Sequence, residues 1–257
     1  MGVDLALFER LCELSRRFQP AGRTLMLGPH RFTVPGRFRR KFDRALRRLG
    51  IEGTSADFLQ DDGYCENLMA KLGFGAMESL DFSDYEGADV VHDLNEPVPA
   101  SLENQFDLIF DGGTLEHVFN VPVALNSIFR MLKPGGRFIS ANGMNGWPMH
   151  GLYQFNPELA WTFWARACGC QVHNCLGLPK DPTADSKIWV FPDPADRGKR
   201  LRLRGKGFPA GRIYLYYEVE RLPTSSLLGS VLQSDYETKW QNHQNAGAIR
   251  FDKVEEV

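Results

Sequence analysis

The sequence predicts an α/β fold built on a mostly parallel sheet, and three consecutive features support this. Residues 107–110 form a short apolar run that ends at the acidic residue Asp111. Residues 121–132 carry apolar side chains at a period near 3.6, which is typical of a helix with one buried face. Residues 133–136, Lys-Pro-Gly-Gly, end that helix, and a second strand begins at Arg137. A strand, helix and strand of this length form a parallel crossover.

Apolar periodicity and turn residues predict the other elements in chain order. Residues 7–18 form an amphipathic helix that ends near Pro20, and residues 24–27 form a buried strand that ends at Gly28. The later predicted elements are helices at 37–48, 64–72 and 157–167 and strands at 76–81, 89–93, 170–176, 187–191 and 212–221, the last of them antiparallel. Residues 192–211, rich in Pro and Gly, form a long loop or a hairpin.

These elements divide the chain into three parts. Residues 1–22 form an N-terminal helix, residues 23–221 form the α/β domain, and residues 222–257 form a C-terminal tail. The tail is polar and weakly periodic, so it is either an extension or a late helix that covers another subunit of a homo-oligomer.

Composition indicates a globular protein in a reducing compartment. No apolar run approaches the roughly 18 residues needed to span a bilayer, and the N-terminus does not resemble a signal peptide. The five cysteines are odd in number and lack zinc-ribbon spacing, so we expect a cytoplasmic location. We expect structural roles for Cys168, Cys170 and Cys175, with a metal or redox site as the alternative.

The net charge of −2 hides an uneven distribution of charge along the chain. Residues 10–50 contain 12 Lys and Arg against two acidic residues, whereas residues 51–120 contain 16 acidic residues against one basic residue. We expect the basic face of helix 37–48 to be solvated and to balance the acidic half. Binding of nucleic acid, an anionic glycan or a phosphate at this face is the alternative, and a nucleic-acid partner is not expected.

Three ordered motifs occupy the centre of the chain. They are Phe106-Asp107-Leu108-Ile109, Leu115-Glu116-His117-Val118 and Met131-Leu132-Lys133-Pro134-Gly135-Gly136. Together they resemble the class I S-adenosylmethionine-dependent methyltransferases. The resemblance implies a Rossmann-like fold with a mostly parallel seven-stranded sheet, helices on both faces and an antiparallel late strand. Residues 79–158 also resemble methyltransferase-like bacterial proteins that are often associated with surface-glycan synthesis.

The resemblance implies S-adenosylmethionine as cofactor and assigns residues to its binding. Asp81 ends the second strand, where the family places the carboxylate that binds the ribose diol. Asp93 and Leu94 follow the third strand, where the family places the adenine contacts. The full predicted set of cofactor-binding residues is Gly28, His30, Asp81, Asp93, Leu94, Asp111 and Gly112, the last two at the methionine end. The alternative role for each acidic residue is a helix cap or a loop carboxylate.

The turn after the first strand departs from the family pattern. Of the usual glycines only Gly28 is present, and His30 and Phe32 stand where the later glycines are expected. A side chain at these positions obstructs close backbone approach, so we expect His30 and Phe32 to limit cofactor access. A methyltransferase fold that no longer catalyses the reaction, and serves as a binding or assembly module, is therefore the alternative function. An NAD-dependent enzyme is the weaker third interpretation.

The expected reaction is methyl transfer to a hydroxyl of a small molecule or a glycan. A hydroxyl acceptor needs a base, and His117 is the best-placed titratable residue, with Glu116 to orient it and His150 as a second candidate. The alternative for His117 is a structural role at a helix start. Some relatives bind a divalent metal here through an additional upstream Glu; Gly113 takes that position, which predicts no metal site.

Overall fold

A computed structural model describes residues 2–182, 186–194, 211–227, 229–234, 236, 237 and 239–243. Its strands are β1 (Arg23–Leu27), β2 (Met77–Asp81), β3 (Val90–Val91), β4 (Phe106–Asp111), β5 (Leu132–Asn145), β6 (Gln171–Pro179), β7 (Trp189–Val190) and β8 (Ile213–Glu220). Within the described residues they form one sheet in the order β3-β2-β1-β4-β5-β8-β6-β7.

The strand directions confirm the predicted α/β class. The pairs β2–β3, β1–β2, β1–β4 and β4–β5 are parallel, whereas β8 is antiparallel to both β5 and β6. Among the described residues the sheet contains eight strands instead of the expected seven, and the two-residue strand β7 pairs with β6 at its edge. The antiparallel late strand was predicted from the β-forming residues of 212–221 and is confirmed.

The predicted helices are all present, with shifted ends. They are α1 (Leu5–Ser15), α2 (Arg39–Leu49), α3 (Glu66–Lys71), α4 (Val121–Met131) and α5 (Pro157–Leu159), which continues as a π-helical segment over Ala160–Ala167. Asp4 caps α1 by accepting a hydrogen bond from the Leu7 amide at 3.1 Å. Gly50 ends α2 in the left-handed conformation at φ +65°.

Two hydrophobic cores cover the two faces of the sheet. Helices α1, α2 and α3 pack on one face, where Phe8 and Leu46 join Met26 of β1. Helix α4 and the π-helical segment pack on the other face, where Trp164 joins Phe138 of β5. Helices on both faces leave the carboxyl edge of the parallel strands open, and this is where such sheets bind ligands.

The C-terminal part of the described chain packs on the same domain. The amide of Ser226 donates to the carbonyl of Cys168 at 2.9 Å, and the amide of Gly229 donates to the carbonyl of Ala167 at 3.1 Å. Residues 239–243 are helical. Most of the predicted loop at 192–211 and the end of the predicted tail, 244–257, lie outside the described residues.

The cysteines are buried, as expected for structural residues. All five are free thiols, and Cys168, Cys170 and Cys175 belong to the second core. Burial raises the pKa of the Cys168 thiol to about 12, so the thiolate that would bind a metal is disfavoured. Among the described residues, no helix is long and apolar enough to cross a membrane.

Candidate cofactor and acceptor site

A cleft of about 420 Å³ opens at the carboxyl edge of the first four strands. This volume lies within the roughly 300–1,000 Å³ of small-molecule sites. Its lining brings together six of the residues predicted from sequence: Gly28, His30, Asp81, Asp93, Leu94 and His117.

The turn after β1 lies close to two neighbouring segments and requires a glycine. Gly28 has φ +76°, and a Cβ atom there would lie 3.0 Å from Thr114 Oγ1 and 3.5 Å from Asp81 Oδ2. The Thr114 hydroxyl in turn donates to the carbonyl of Leu27. The turn after β1, the Asp81 carboxylate and the loop after β4 therefore meet at one point of the cleft.

The side chains of His30 and Phe32, which stand where the family pattern has glycines, point into the protein. His30 is 1% exposed; its Nε2 accepts a hydrogen bond from the Gly112 amide at 3.1 Å, and its ring meets the edge of Phe110. Phe32 is fully buried in the first core and stacks on Phe8 at 5.6 Å. Contrary to the prediction, Phe32 does not restrict the cleft, and His30 forms part of its floor.

The cleft lining carries negative charge. Asp81, Glu86 and Asp93 line it, and none of the described residues that line it is Lys or Arg. Asp93 also shapes its own loop, since its Oδ1 accepts from the Asn95 amide at 2.9 Å and from the Asn95 side chain at 2.8 Å. These hydrogen bonds lower the pKa of Asp93. The lining therefore favours a ligand with positive charge.

Asp111 and Gly112 hold the loop after β4, instead of lining the cleft as predicted. Asp111 is fully buried; its Oδ1 accepts from the Thr114 amide at 2.8 Å, and its Oδ2 accepts from Ser140 at 3.0 Å and from Asn142 at 2.6 Å. Burial raises the pKa of Asp111, and these donors oppose that shift. This carboxylate acts as an anchor for the segment that carries Glu116 and His117.

The three predicted catalytic residues converge at one end of the cleft. Glu116 Oε1 lies 3.2 Å from His150 Nε2 and 3.9 Å from His117 Nε2, and the two imidazole ring centroids are 5.4 Å apart. The side chain of Glu116 is 2% exposed, whereas that of His117 is 47% exposed. Glu116 was expected to orient His117, but it lies nearer to His150.

The loop after β5 folds back onto Glu116. Glu116 Oε2 accepts from the Gly143 amide at 2.5 Å, and the Glu116 carbonyl accepts from the Leu152 amide at 2.8 Å. Glycine is required at Gly151, where a Cβ atom would lie 2.7 Å from the Glu116 carbonyl oxygen. Sequence reasoning placed His150 on the same rim without predicting this contact; the glycines at 143, 146 and 151 were the available signal.

Burial shifts the pKa of two members of this cluster, Glu116 and His117. It raises the pKa of Glu116 to about 7, against the opposing hydrogen bond from Gly143. Burial also lowers the pKa of His117, and the neighbouring His150 adds to this shift. His117 is therefore neutral near pH 7, and its unprotonated ring nitrogen can accept a proton or bind a metal.

Known proteins provide a family match in the centre of the chain. Residues 71–140, which include β2, β3, β4 and α4, match the methyltransferase domain family. No curated protein matches the sequence significantly.

Solved methyltransferase structures also match, at low identity. One is the 1,6-didemethyltoxoflavin-N1-methyltransferase of Burkholderia thailandensis, solved with 1,6-didemethyltoxoflavin and S-adenosylhomocysteine; it is 16% identical, with 85% of this chain and 80% of that chain covered and a TM-score of 0.45. Another is the 16S rRNA (adenine(1408)-N(1))-methyltransferase of Catenulisporales acidiphilia, which is 12% identical, with 87% and 94% covered and a TM-score of 0.39. These low scores do not identify an acceptor.

The mostly parallel sheet, with helices on both faces and a cleft at the carboxyl edge of its parallel strands, defines a Rossmann-like α/β protein. This architecture agrees with the match of residues 71–140 to the methyltransferase domain family. S-adenosylmethionine is the cofactor of this family, and methyl transfer is its reaction.

Proposed function

We propose that this chain transfers the methyl group of S-adenosylmethionine to a hydroxyl of a small molecule or a glycan. The observation that carries the proposal is the continuity of the acidic cleft with the Glu116, His117 and His150 cluster, because His117 belongs to both. A ligand site and a group able to act on a hydroxyl proton are therefore adjacent.

The cofactor would occupy the cleft between the first turn and the loops after β2 and β3. Gly28 leaves the space that a Cβ atom would fill, Asp81 would bind the ribose diol, and Asp93 and Leu94 would contact the adenine. When bound, the cofactor supplies a methyl group on a positively charged sulfonium. The acidic lining and the absence of Lys and Arg among its described residues suit that charge better than they suit the pyrophosphate of NAD.

The cluster would act on the acceptor. A hydroxyl becomes a better nucleophile as it loses its proton, and a neutral imidazole on a cleft wall is suited to help this loss. His117 is the most exposed member of the cluster, so an acceptor can reach it, whereas the buried Glu116 fixes the arrangement. Alignment of the two reactants in the cleft would supply further acceleration.

The experiment is a screen for methyl transfer with matched acceptors. The chain is incubated with S-adenosylmethionine and hydroxylated small molecules or glycans, and matched amines are tested as acceptors in parallel reactions. Formation of S-adenosylhomocysteine is measured by mass spectrometry. We expect turnover with a hydroxyl acceptor, and we expect His117→Ala to lower kcat by about 10²–10⁴-fold while the affinity for S-adenosylhomocysteine stays unchanged. The control is His173→Ala, since His173 lies on β6 outside the cleft.

Two outcomes would contradict the proposal. Turnover with amines alone would assign a different acceptor class. S-adenosylhomocysteine binding with no turnover on any acceptor would favour a non-catalytic binding or assembly protein.

A further inference from the structure

The Glu116, His117 and His150 cluster has the composition and spacing of a metal site. One carboxylate oxygen and two imidazole nitrogens lie within 4.8 Å of one another. Ligand atoms bound to one ion at roughly 2.1 Å can be at most about 4.2 Å apart. The two distances from Glu116 Oε1, 3.2 Å and 3.9 Å, already meet this limit. The half-exposed ring of His117 needs only a small inward movement.

The two oxygens of Glu116 differ in their partners. Oε2 accepts from the Gly143 amide. Oε1 is buried, and no hydrogen bond from any residue that the structure describes reaches it. It faces the two imidazole nitrogens instead. A buried carboxylate oxygen without a donor is unfavourable, and a cation held between this oxygen and the rings would satisfy it.

The backbone holds His150 towards Glu116 at a conformational cost. Met149, directly before His150, has φ +60°, a left-handed backbone conformation that residues other than Gly, Asn and Asp rarely adopt. The side chain of Met149 is fully exposed, so packing of that side chain does not explain the conformation. Uncommon backbone conformations of this kind cluster at functional sites. The Trp147 ring, 4.9 Å from the His150 ring, supports the imidazole from the other side.

We propose that Glu116, His117 and His150 bind one divalent transition-metal ion at the acceptor end of the cleft. Two imidazoles and one carboxylate suit Zn²⁺, Fe²⁺ or Co²⁺ better than Mg²⁺ or Ca²⁺, which prefer oxygen ligands. Gly113 predicted no metal because it removes an upstream carboxylate; His150 supplies a ligand from a different loop. Three protein ligands leave coordination positions open.

The catalytic role of the ion rests on the proposed function. An acceptor hydroxyl bound at an open position would lose its proton more readily, since a divalent ion lowers the pKa of a bound O–H group. The O–H bond breaks, its electron pair stays on the oxygen, and the proton passes to water. With a metal bound, His117 and His150 would act on the acceptor indirectly, as ligands of the ion.

Cobalt and zinc titrations test the site directly. The full chain is treated with a chelator, dialysed and titrated with Co²⁺, whose visible absorption reports coordination by nitrogen, and with Zn²⁺ by calorimetry. We expect one ion per chain. Glu116→Gln and His150→Gln should each weaken binding by more than the roughly 10–100-fold that a change outside the ligand set costs. His173→Gln is the matched control, because His173 also faces a carboxylate, Glu220, at 2.8 Å.

The titration separates the metal inference from the proposed function. Absence of Co²⁺ binding, equal binding by Glu116→Gln, or an equal loss in His173→Gln would overturn the metal site. Calorimetry with S-adenosylhomocysteine on the same samples reports the cofactor cleft independently. If the chain binds S-adenosylhomocysteine but neither Co²⁺ nor Zn²⁺, only the metal inference is overturned. If it binds the metal but not S-adenosylhomocysteine, only the proposed function is overturned. If Glu116→Gln fails to fold, His117→Gln gives the same test at a half-exposed position.

Discussion

Three carboxylates at the carboxyl edge of the sheet have different roles because their environments differ. Asp111 is fully buried and surrounded by donors, so it anchors a loop. Glu116 is equally buried, but one of its oxygens faces two imidazoles, so it can act on a proton or an ion. Asp81 is partly exposed on the cleft wall, where it can reach a ligand.

The role of Asp81 is tested by removing its carboxylate. Asp81→Ala should weaken the binding of S-adenosylhomocysteine by roughly 1–3 kcal/mol, the cost of a lost charge-assisted hydrogen bond, as measured by calorimetry. Asp84→Ala is the control, since Asp84 is exposed in the same loop and does not line the cleft. Equal affinities for the wild type and Asp81→Ala would remove Asp81 from the site.

The family resemblance predicted Asp81 and Asp93 as cofactor ligands, and both line the cleft because the carboxyl ends of parallel strands share one edge of the sheet. Sequence reasoning did not identify the direction of side chains in irregular segments. Phe32 and His30 follow β1 without regular periodicity, so whether their rings point into the core or into the cleft depends on packing against Phe8 and Phe110. Asp111 illustrates the same limit, because its donors come from the distant positions Ser140 and Asn142.

At the scale of elements, the segment after β5 determines the acceptor end of the cleft. The Trp147 amide donates to Gln154 Oε1 at 3.3 Å, and the Trp147 indole donates to the Ile213 carbonyl at 3.0 Å. The Tyr153 hydroxyl donates to the Phe119 carbonyl at 2.9 Å and ties the segment to the loop before α4. These contacts hold His150 beside Glu116, although the two residues lie on different loops.

A methyl group at Gly151 should disturb this segment and little else. Gly151→Ala places a Cβ atom 2.7 Å from a backbone oxygen of Glu116, so the loop must shift. We expect a loss of about 1–3 kcal/mol in the free energy of unfolding and a weaker Co²⁺ affinity, with unchanged affinity for S-adenosylhomocysteine. Gly36→Ala is the control, because open space surrounds that position. An unaltered Co²⁺ titration in Gly151→Ala would show that the loop does not position His150.

The regular elements followed from sequence because periodicity and turn residues act locally. Helix α4 and the antiparallel strand β8 are examples, with apolar or β-forming residues at the required spacing. The π-helical form of Ala160–Ala167 was not predicted, since an apolar stripe is similar for both helix types. The extension of β5 through the Lys-Pro-Gly-Gly turn was also missed; the pairings of Leu132 with Phe106 and of Arg137 with Leu108 and Glu220 determine it.

At the scale of the whole molecule, a buried ionic cluster joins the N-terminal helix to the sheet. Glu218 of β8 is fully buried, and both of its oxygens accept from Arg17, which follows α1. Arg137 of β5 donates to Glu218 at 2.8 Å, and Asn174 of β6 donates at 2.9 Å. Four segments far apart in sequence therefore depend on one buried carboxylate.

The charge of Glu218 should make global stability sensitive to acid. Burial alone would raise the pKa of Glu218, but the hydrogen bonds from Arg17, Asn174 and Arg137 outweigh burial and hold it below its usual 4.5. A carboxyl with a lowered pKa in the folded state contributes stability above its unfolded pKa. This contribution is lost as the pH falls from about 4.5 through the folded value.

Glu218→Gln tests this at the level of the whole fold. Near pH 7 we expect a loss of about 2–3 kcal/mol by urea denaturation, less than the roughly 3–5 kcal/mol of a fully buried pair. The Arg17 side chain is 39% exposed and can be solvated, and Arg137 keeps Glu220 as a partner at 3.2 Å. The difference between wild type and Glu218→Gln should shrink as the pH falls below about 4.5.

The matched control is Glu78→Gln, which breaks the exposed pair of Arg23 on β1 and Glu78 on β2. An exposed pair contributes about 0–1 kcal/mol, so this variant should change the free energy of unfolding little at any pH. A Glu218→Gln variant as stable as the wild type at pH 7 would show that the cluster does not stabilise the fold. A difference that stays constant down to pH 3 would show that the stabilisation comes from packing, since only the charge of Glu218 is lost with acid.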